Sequence, residues 1–212
     1  MAELIVIEVR GYLNLPLSIM TSFLQNPLLR VLPLVKRLVK SGPSTSSSQI
    51  LQTANPESFY QLSSQLQTGQ NFSFDTLKGK QVLLVNTDAN LTDSAQYREL
   101  QQLAEQFADE LVVLAFPTSD FPAPEQPAGP VSTPGTAVIH LMQPSAVVKT
   151  AQQHPVYQWL STARQNGWNE QAPPRPFTKY LVNAAGQLAH YFGPTLSPLS
   201  DTVIESIQNP LT

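Results

Sequence analysis

Two short apolar runs, Val82 to Val85 and Leu111 to Phe116, bracket a stretch in which Tyr97, Leu100, Leu103, Ala104 and Phe107 recur at threes and fours. The runs carry no charge and are rich in branched residues, which suits strands buried on both faces. The intervening spacing puts one apolar stripe on a helix. Strand, loop, helix and strand in that order predict two parallel strands of one sheet, with the loop Asn86 to Ser94 at the carboxyl edge of the sheet and the amino end of the helix. Unpaired N–H groups and the positive end of the helix dipole favour an anion or a thiolate there. Chemistry in an α/β fold is expected at that edge.

The flanking sequence extends the sheet. NFSFDTLKG from Asn71 predicts a brief strand and turn, and AVIHLM from Ala137 another strand. A helix from Pro155 places Val156, Trp159, Leu160 and Ala163 inward, and Ala163 to Pro176 breaks it. Phe177 to Val182 and Gln187 to Phe192 read as a hairpin across Asn183 to Gly186. The closing helix is expected to take Ser197 as N-cap, Pro198 at its first position and Asp201 in its first turn, with Val203, Ile204 and Ile207 inward. Phe121 to Gly135 is dense in Pro and Gly and reads as a long ordered loop, a mobile lid or a compositional habit of a chain with 19 prolines.

Domain organisation follows from composition. Residues 1–40 form a leucine-rich extension: Glu3 to Gly11 suits an edge strand, and Leu28, Val31, Leu32, Val35, Leu38 and Val39 share one helical face with Arg30 and Arg37 opposite. Pro33 bends or divides that helix. No uninterrupted apolar span reaches the roughly 18 to 20 residues that cross a bilayer. The segment is an accessory helix that covers the domain or exchanges with a neighbouring subunit, or else an amphipathic anchor on an anionic membrane surface. Residues 41–56 form a linker, with SGPSTSSSQ at its start, and residues 57–212 form the α/β domain.

Several chemistries are excluded or left without support. A net charge of −3 gives no footprint for nucleic acid. The chain has no cysteine, so disulfides, thiolate metal sites and thioether haem are ruled out. His140, His154 and His190 show no His-x-x-x-His spacing and read as structural. Asp88, Asp93 and Asp120 are either a hard-cation site or solvated loop charges, and Thr92, Ser94 and Thr118 lack a partnering histidine. No cofactor is implied.

The order of motifs from Ser58 to Leu211 resembles the glutathione peroxidase family of the thioredoxin-like fold. Val85-Asn86 and Gln96-Tyr97 keep the separation that the family places around its peroxidatic cysteine or selenocysteine. FYQL at Phe59, LKGK at Leu77, HPVYQWL at His154, FTKYLVNAAG at Phe177 and YFGPTLSP at Tyr191 resemble further family segments in the family's order. The resemblance implies a central β-sheet flanked by helices, with the extension of residues 1–40 added to it. It also implies a site that has lost its chemistry. Leu91 stands where the family has its cysteine, Thr92 where a glycine is usual, Asp120 where it has a glutamine, and Arg175-Pro176 where it has Trp-Asn. Thioredoxin-like proteins commonly place a cis-proline before the corresponding strand, which makes Pro176 a candidate for that isomer against the ordinary trans form.

A leucine cannot ionise, attack a peroxide or form a sulfenic acid, and no cysteine elsewhere can replace it. The leading expectation is a catalytically inactive family member used as a binding or assembly module, with a homo-oligomer or a protein partner engaged through the N-terminal segment. The alternatives are a residual oxidoreductase in the oxidative-stress response, working by an unrecognised mechanism, and a peripheral membrane adaptor. The expected location is the cytoplasm, with the membrane surface as the alternative.

Overall fold

The computed structural model describes residues 44–46, 57–89, 94–122 and 139–211, all within the unit Ser41–Thr212. The extension of residues 1–40, the site position Leu91 with Thr92 and Asp93, and most of the Pro-rich loop after Phe121 lie outside the described residues.

The expected strand, helix and strand are present. Strand β4 (Gln81–Asp88) and strand β5 (Leu111–Thr118) run parallel, with Val82 opposite Val112 and Val85 opposite Ala115. Helix α1 (Ala95–Gln106) joins them. Ser94 caps it, its hydroxyl accepting from the Tyr97 N–H at 3.2 Å and so satisfying one orphan donor of the first turn. Strand β6 (Ile139–Leu141) pairs parallel with β5. On the other side β7 (Lys179–Val182) pairs antiparallel with β4, and β8 (Leu188–Phe192) antiparallel with β7. With β1 (Ser44–Ser46) at the edge, the sheet order is β1-β8-β7-β4-β5-β6. A separate hairpin joins β2 (Ser63–Gln65) to β3 (Asn71–Ser73).

Alternation along β4 explains its continuous apolar run. Val82 and Leu84 face a cluster containing Phe59, Phe74, Phe116, Tyr157, Trp159 and Tyr180. Leu83 and Val85 face the opposite cluster, with Leu100, Leu103 and Ala104 of α1 and with Val203 and Ile207 of the closing helix α4 (Asp201–Gln208). All four β4 side chains are fully buried, and each contributes roughly 1.5–3 kcal/mol relative to exposure. The aromatic layer also holds the ends of the domain together. Tyr60 donates to the Ala184 carbonyl at 2.8 Å and packs beneath Gly186, where an added Cβ would lie 2.7 Å from the Tyr60 ring. Gly186 has φ +80° and closes the turn from Asn183.

Four expectations need correction, and one open question is answered. Ser44–Ser46, placed in a flexible linker, forms β1 in register with β8, Ser44 opposite Phe192 and Ser46 opposite His190. Serine-rich composition forecasts poor side-chain packing, but an open sheet edge is completed by backbone groups that every residue has. The strand expected from Phe177 begins at Lys179, because Phe177 takes a left-handed φ of 65° that cannot continue a ladder. Pro176, for which the sequence left both isomers open, is trans, as is every peptide bond among the described residues. The closing helix is capped by Ser200, whose hydroxyl accepts from Val203 N–H, while Ser197 caps the preceding turn, its hydroxyl accepting from Leu199 N–H at 3.1 Å and donating to Glu99 at 2.7 Å. Ala163 does not continue the helix from Pro155. Helix α2 (Pro155–Leu160) ends at Ser161, and α3 (Ala163–Asn166) is a separate turn stopped by left-handed Gly167.

Candidate functional site

The carboxyl ends of β4 and β5, the cap of α1 and the approach to β7 meet where the sequence predicts chemistry. Asn86 is the centre of the described part. It is fully buried, and its Nδ2 donates to the Arg175 carbonyl at 3.0 Å. Its backbone carbonyl accepts from Phe177 N–H at 2.6 Å. Thr178 Oγ1 donates to the same Arg175 carbonyl at 3.0 Å. Arg175 therefore serves this edge through its main chain and leaves its side chain exposed. Asn86 Oδ1 and the Thr87 hydroxyl are buried without a partner among the described residues.

Asp120 does not join this group. Its Oδ2 accepts from the Val147 N–H at 2.5 Å and the Val148 N–H at 3.0 Å, tying β5 to the loop ahead of α2. Its own N–H donates to Thr118 Oγ1 at 3.2 Å. The structure thus brings Asn86, Arg175, Pro176 and Phe177 together and turns Asp120 to the loop. The described hydroxyl candidates are engaged locally, Ser94 as a cap and Thr118 with Asp120. Among the described residues no group of three His, Asp or Glu side chains could hold a metal ion.

The retained Gln96 also does structural work. Its Nε2 donates to the Pro194 carbonyl at 2.9 Å, and its Oε1 accepts from Lys179 Nζ at 2.8 Å. Lys179 is fully buried and gives its other donors to the carbonyls of Phe177 and Leu196, both at 2.7 Å. Burial pulls its ammonium down to about 7, against the attraction of Glu99. Three acceptors occupy the three donors of an ammonium group, so Lys179 ties α1, β7 and the approach to α4 together and has no N–H left for a substrate. Sequence reasoning missed it. The signal was a lysine entering the strand KYLV, whose other members are all buried.

The histidines fit structural roles. His154 is the N-cap of α2, its Nδ1 accepting from Val156 N–H at 3.2 Å and its Nε2 lying 3.4 Å from the Ser64 hydroxyl. That cap requires a neutral ring, which burial favours by lowering the pKa. His190 stacks on Phe192 and is pulled down to about 4 by burial. His140 stacks on Phe72 and is also lowered by burial.

Comparison with known proteins fits this geometry. The glutathione peroxidase family model matches residues 59–161. The glutathione peroxidase-like peroxiredoxin GPX5 of Chlamydomonas reinhardtii is 32% identical, over 69% of this chain and 93% of its own length. The glutathione peroxidase homolog BsaA of Staphylococcus aureus is 28% identical, over 68% of this chain and 93% of its own. Among solved structures, the apo form of Trgpx superposes with a TM-score of 0.56 at 25% identity, covering 74% of this chain and 99% of that one. T. cruzi GPX1 gives the same TM-score at 22% identity, covering 73% and 96%, and shares the fold. Without a cysteine the chain has no nucleophile for the peroxidatic cycle. The chain belongs to the glutathione peroxidase family, as a thioredoxin-fold member that lacks the catalytic cysteine.

Proposed function

We propose that this protein is a catalytically silent family member acting as a binding or assembly module, with the segment before Ser41 as its contact and a second copy of the chain as its partner. The observation that carries the reading is a fully packed scaffold without its nucleophile: both core layers are closed, yet no thiol exists anywhere in the chain. An intact fold without its chemistry retains value through its surface. The apolar helical face that the sequence from Leu28 to Val39 predicts supports the choice of contact, because such a face would be exposed if the segment stood alone and a surface of that kind normally finds a partner.

The test compares the full chain with a truncation beginning at Ser41, which retains β1. The full chain is expected to have the larger multiple of its monomer mass in sedimentation, and the truncation to be monomeric or to bind more of a hydrophobic dye. Equal mass, dye binding and thermal midpoint in the two forms would overturn the reading. Co-sedimentation of the full chain with anionic vesicles, only partly reversed by salt, would replace the second copy with a membrane surface, because screening weakens charge attraction and leaves apolar insertion intact.

A further inference from the structure

Asn166-Gly167 is the one Asn-Gly step in the chain. Asparagine is a chemically labile residue, and it is most so before glycine, where no Cβ shields the following amide nitrogen. In an open chain that nitrogen adds to the asparagine side-chain carbonyl carbon Cγ and closes a five-membered ring. The N–Cγ bond forms, the Cγ–Nδ2 bond breaks, and Nδ2 leaves as ammonia with the proton that the Gly167 nitrogen gives up. Water then opens the succinimide, at the side-chain carbonyl to give aspartate or at the main-chain carbonyl to give isoaspartate. No oxidant, metal or enzyme enters the balance.

The folded turn engages each participant in that reaction. Asn166 ends α3 and is only 2% exposed. Its Nδ2 donates to the carbonyls of Trp159 at 2.7 Å and Asn169 at 2.8 Å, so both hydrogens of the leaving group are held. Its Oδ1 accepts from the N–H groups of Trp168 at 2.9 Å and Asn169 at 2.7 Å, which fixes the amide plane and keeps Cγ from turning. The Gly167 N–H donates to the Ala163 carbonyl at 2.8 Å, whereas attack requires that nitrogen to lose its hydrogen and face Cγ. Gly167 stands at φ 102°, so the residue that makes the step reactive is also the one the turn requires. Opening the turn frees all of these groups together, and the product does not fit back. A carboxylate at position 166 has no donor for the Trp159 and Asn169 carbonyls and would be a buried charge without a partner. Isoaspartate adds a methylene to the main chain just ahead of Trp168. We propose that Asn166-Gly167 is a latent deamidation site, closed by the folded turn after α2 and released by its local opening, so that a reversible excursion becomes a permanent one. The proposal does not depend on the contact assigned to residues 1–40.

The test follows conversion at single residues. Full-length protein is incubated at mildly alkaline pH in buffer, in urea below its unfolding midpoint and in urea well above it, then digested and scored by mass spectrometry at Asn166 and at Asn183, which precedes Ala184. In the unfolded chain Asn166 is expected to convert several times faster than Asn183. Folding is expected to slow conversion at Asn166 by about tenfold or more, with the rate rising through the intermediate urea concentrations. Asn169→Ala removes the side-chain ties to the Leu160 and Gln171 carbonyls, leaves the dipeptide intact, and is expected to speed conversion in buffer by about tenfold. Protein converted at Asn166 and returned to buffer is expected to unfold several degrees below unconverted protein. Slowing by less than about tenfold on folding overturns the proposal, because the turn would then protect nothing. So does conversion at Asn166 no faster than at Asn183 in the unfolded chain, an unchanged rate in the variant, or equal thermal midpoints for converted and unconverted protein.

Discussion

The carboxyl end of β4 and the turn that follows α2 both bury asparagines, and they use them in opposite ways. In the turn, Asn166 Nδ2 donates to the carbonyls of Trp159 and Asn169, and its Oδ1 accepts from the N–H groups of Trp168 and Asn169. Asn169 then donates to the carbonyls of Leu160 and Gln171. At the end of β4, Asn86 makes one side-chain bond and leaves Oδ1 unpaired, Thr87 beside it does the same with its hydroxyl, and the adjoining Phe177 sits in a left-handed conformation. Unpaired buried polar atoms and unfavourable backbone angles are tolerated where an active site uses them. Here they remain without a nucleophile to serve, whereas the two asparagines of the turn have every side-chain polar atom matched. Chemistry and architecture have come apart within one domain.

The contrast is sharpest if the turn is broken. Asn166→Leu keeps the branched shape, strands the N–H groups of Trp168 and Asn169 and the Asn169 carbonyl, and leaves the Trp159 carbonyl only the Thr162 N–H; it is expected to cost on the order of 3 kcal/mol or more in denaturant unfolding. A loss below about 1 kcal/mol would show that the turn is no more ordered than the β4 edge. Gly186→Ala comes next. The left-handed backbone alone costs about 1–2 kcal/mol, and the Tyr60 ring adds to it, so the thermal midpoint should fall by several degrees. Tyr60→Leu in the same background should recover the part due to the ring.

A smaller effect is expected at His154. His154→Ala removes the cap of α2 for about 1 kcal/mol, and His154→Asn should retain most of it. Both His154 and His190 have folded-state pKa values below the unfolded value, so the unfolded chain holds more protons between about 4 and about 6.5 in the case of His190. Stability therefore falls as pH drops through that window and is recovered above it. Combining His154→Asn with His190→Gln should flatten the acid side of a plot of unfolding midpoint against pH; an unaltered slope would mean that neither ring is held neutral by the fold.

The smallest expected effect is on activity. Thiol-dependent reduction of hydrogen peroxide should match a denatured control, and Leu91→Cys should raise it little, because Asp120 is committed to Val147 and Val148 and Arg175 faces this edge with its carbonyl. Restoration to robust turnover would show that the β4 edge is still organised for catalysis, and the contrast with the turn would fail.

The sheet was legible in the sequence because its signals were redundant: uncharged runs, a helical stripe between them and a hairpin turn ending in Gly186. The loss of the nucleophile was legible for a simpler reason, since composition alone excludes a thiol. The contacts of the remaining site residues were less accessible. Asp120 could be read as an acceptor, but its donors lie 27 and 28 residues away in the chain. Lys179, Asn166 and Asn169 have the residue types of solvated loops, and their burial depends on carbonyls supplied by distant elements. Ser44–Ser46 failed for the converse reason, since edge pairing relies on the backbone and leaves little trace in side-chain pattern.

The position of β7 has a consequence for how the molecule is made. This strand separates β4 from β8 in the sheet, yet it begins at Lys179, later in the chain than every other strand of the sheet but β8. Until the ribosome releases it, β4 has an open flank, Tyr60 lacks the Ala184 carbonyl, and the apolar faces of β4 have only part of their cover. Domains are built from the amino end during translation. This one can close only once β7 has emerged, so a nascent chain stalled before Lys179 is expected to be recognised by chaperones as unfinished, however complete its earlier strands.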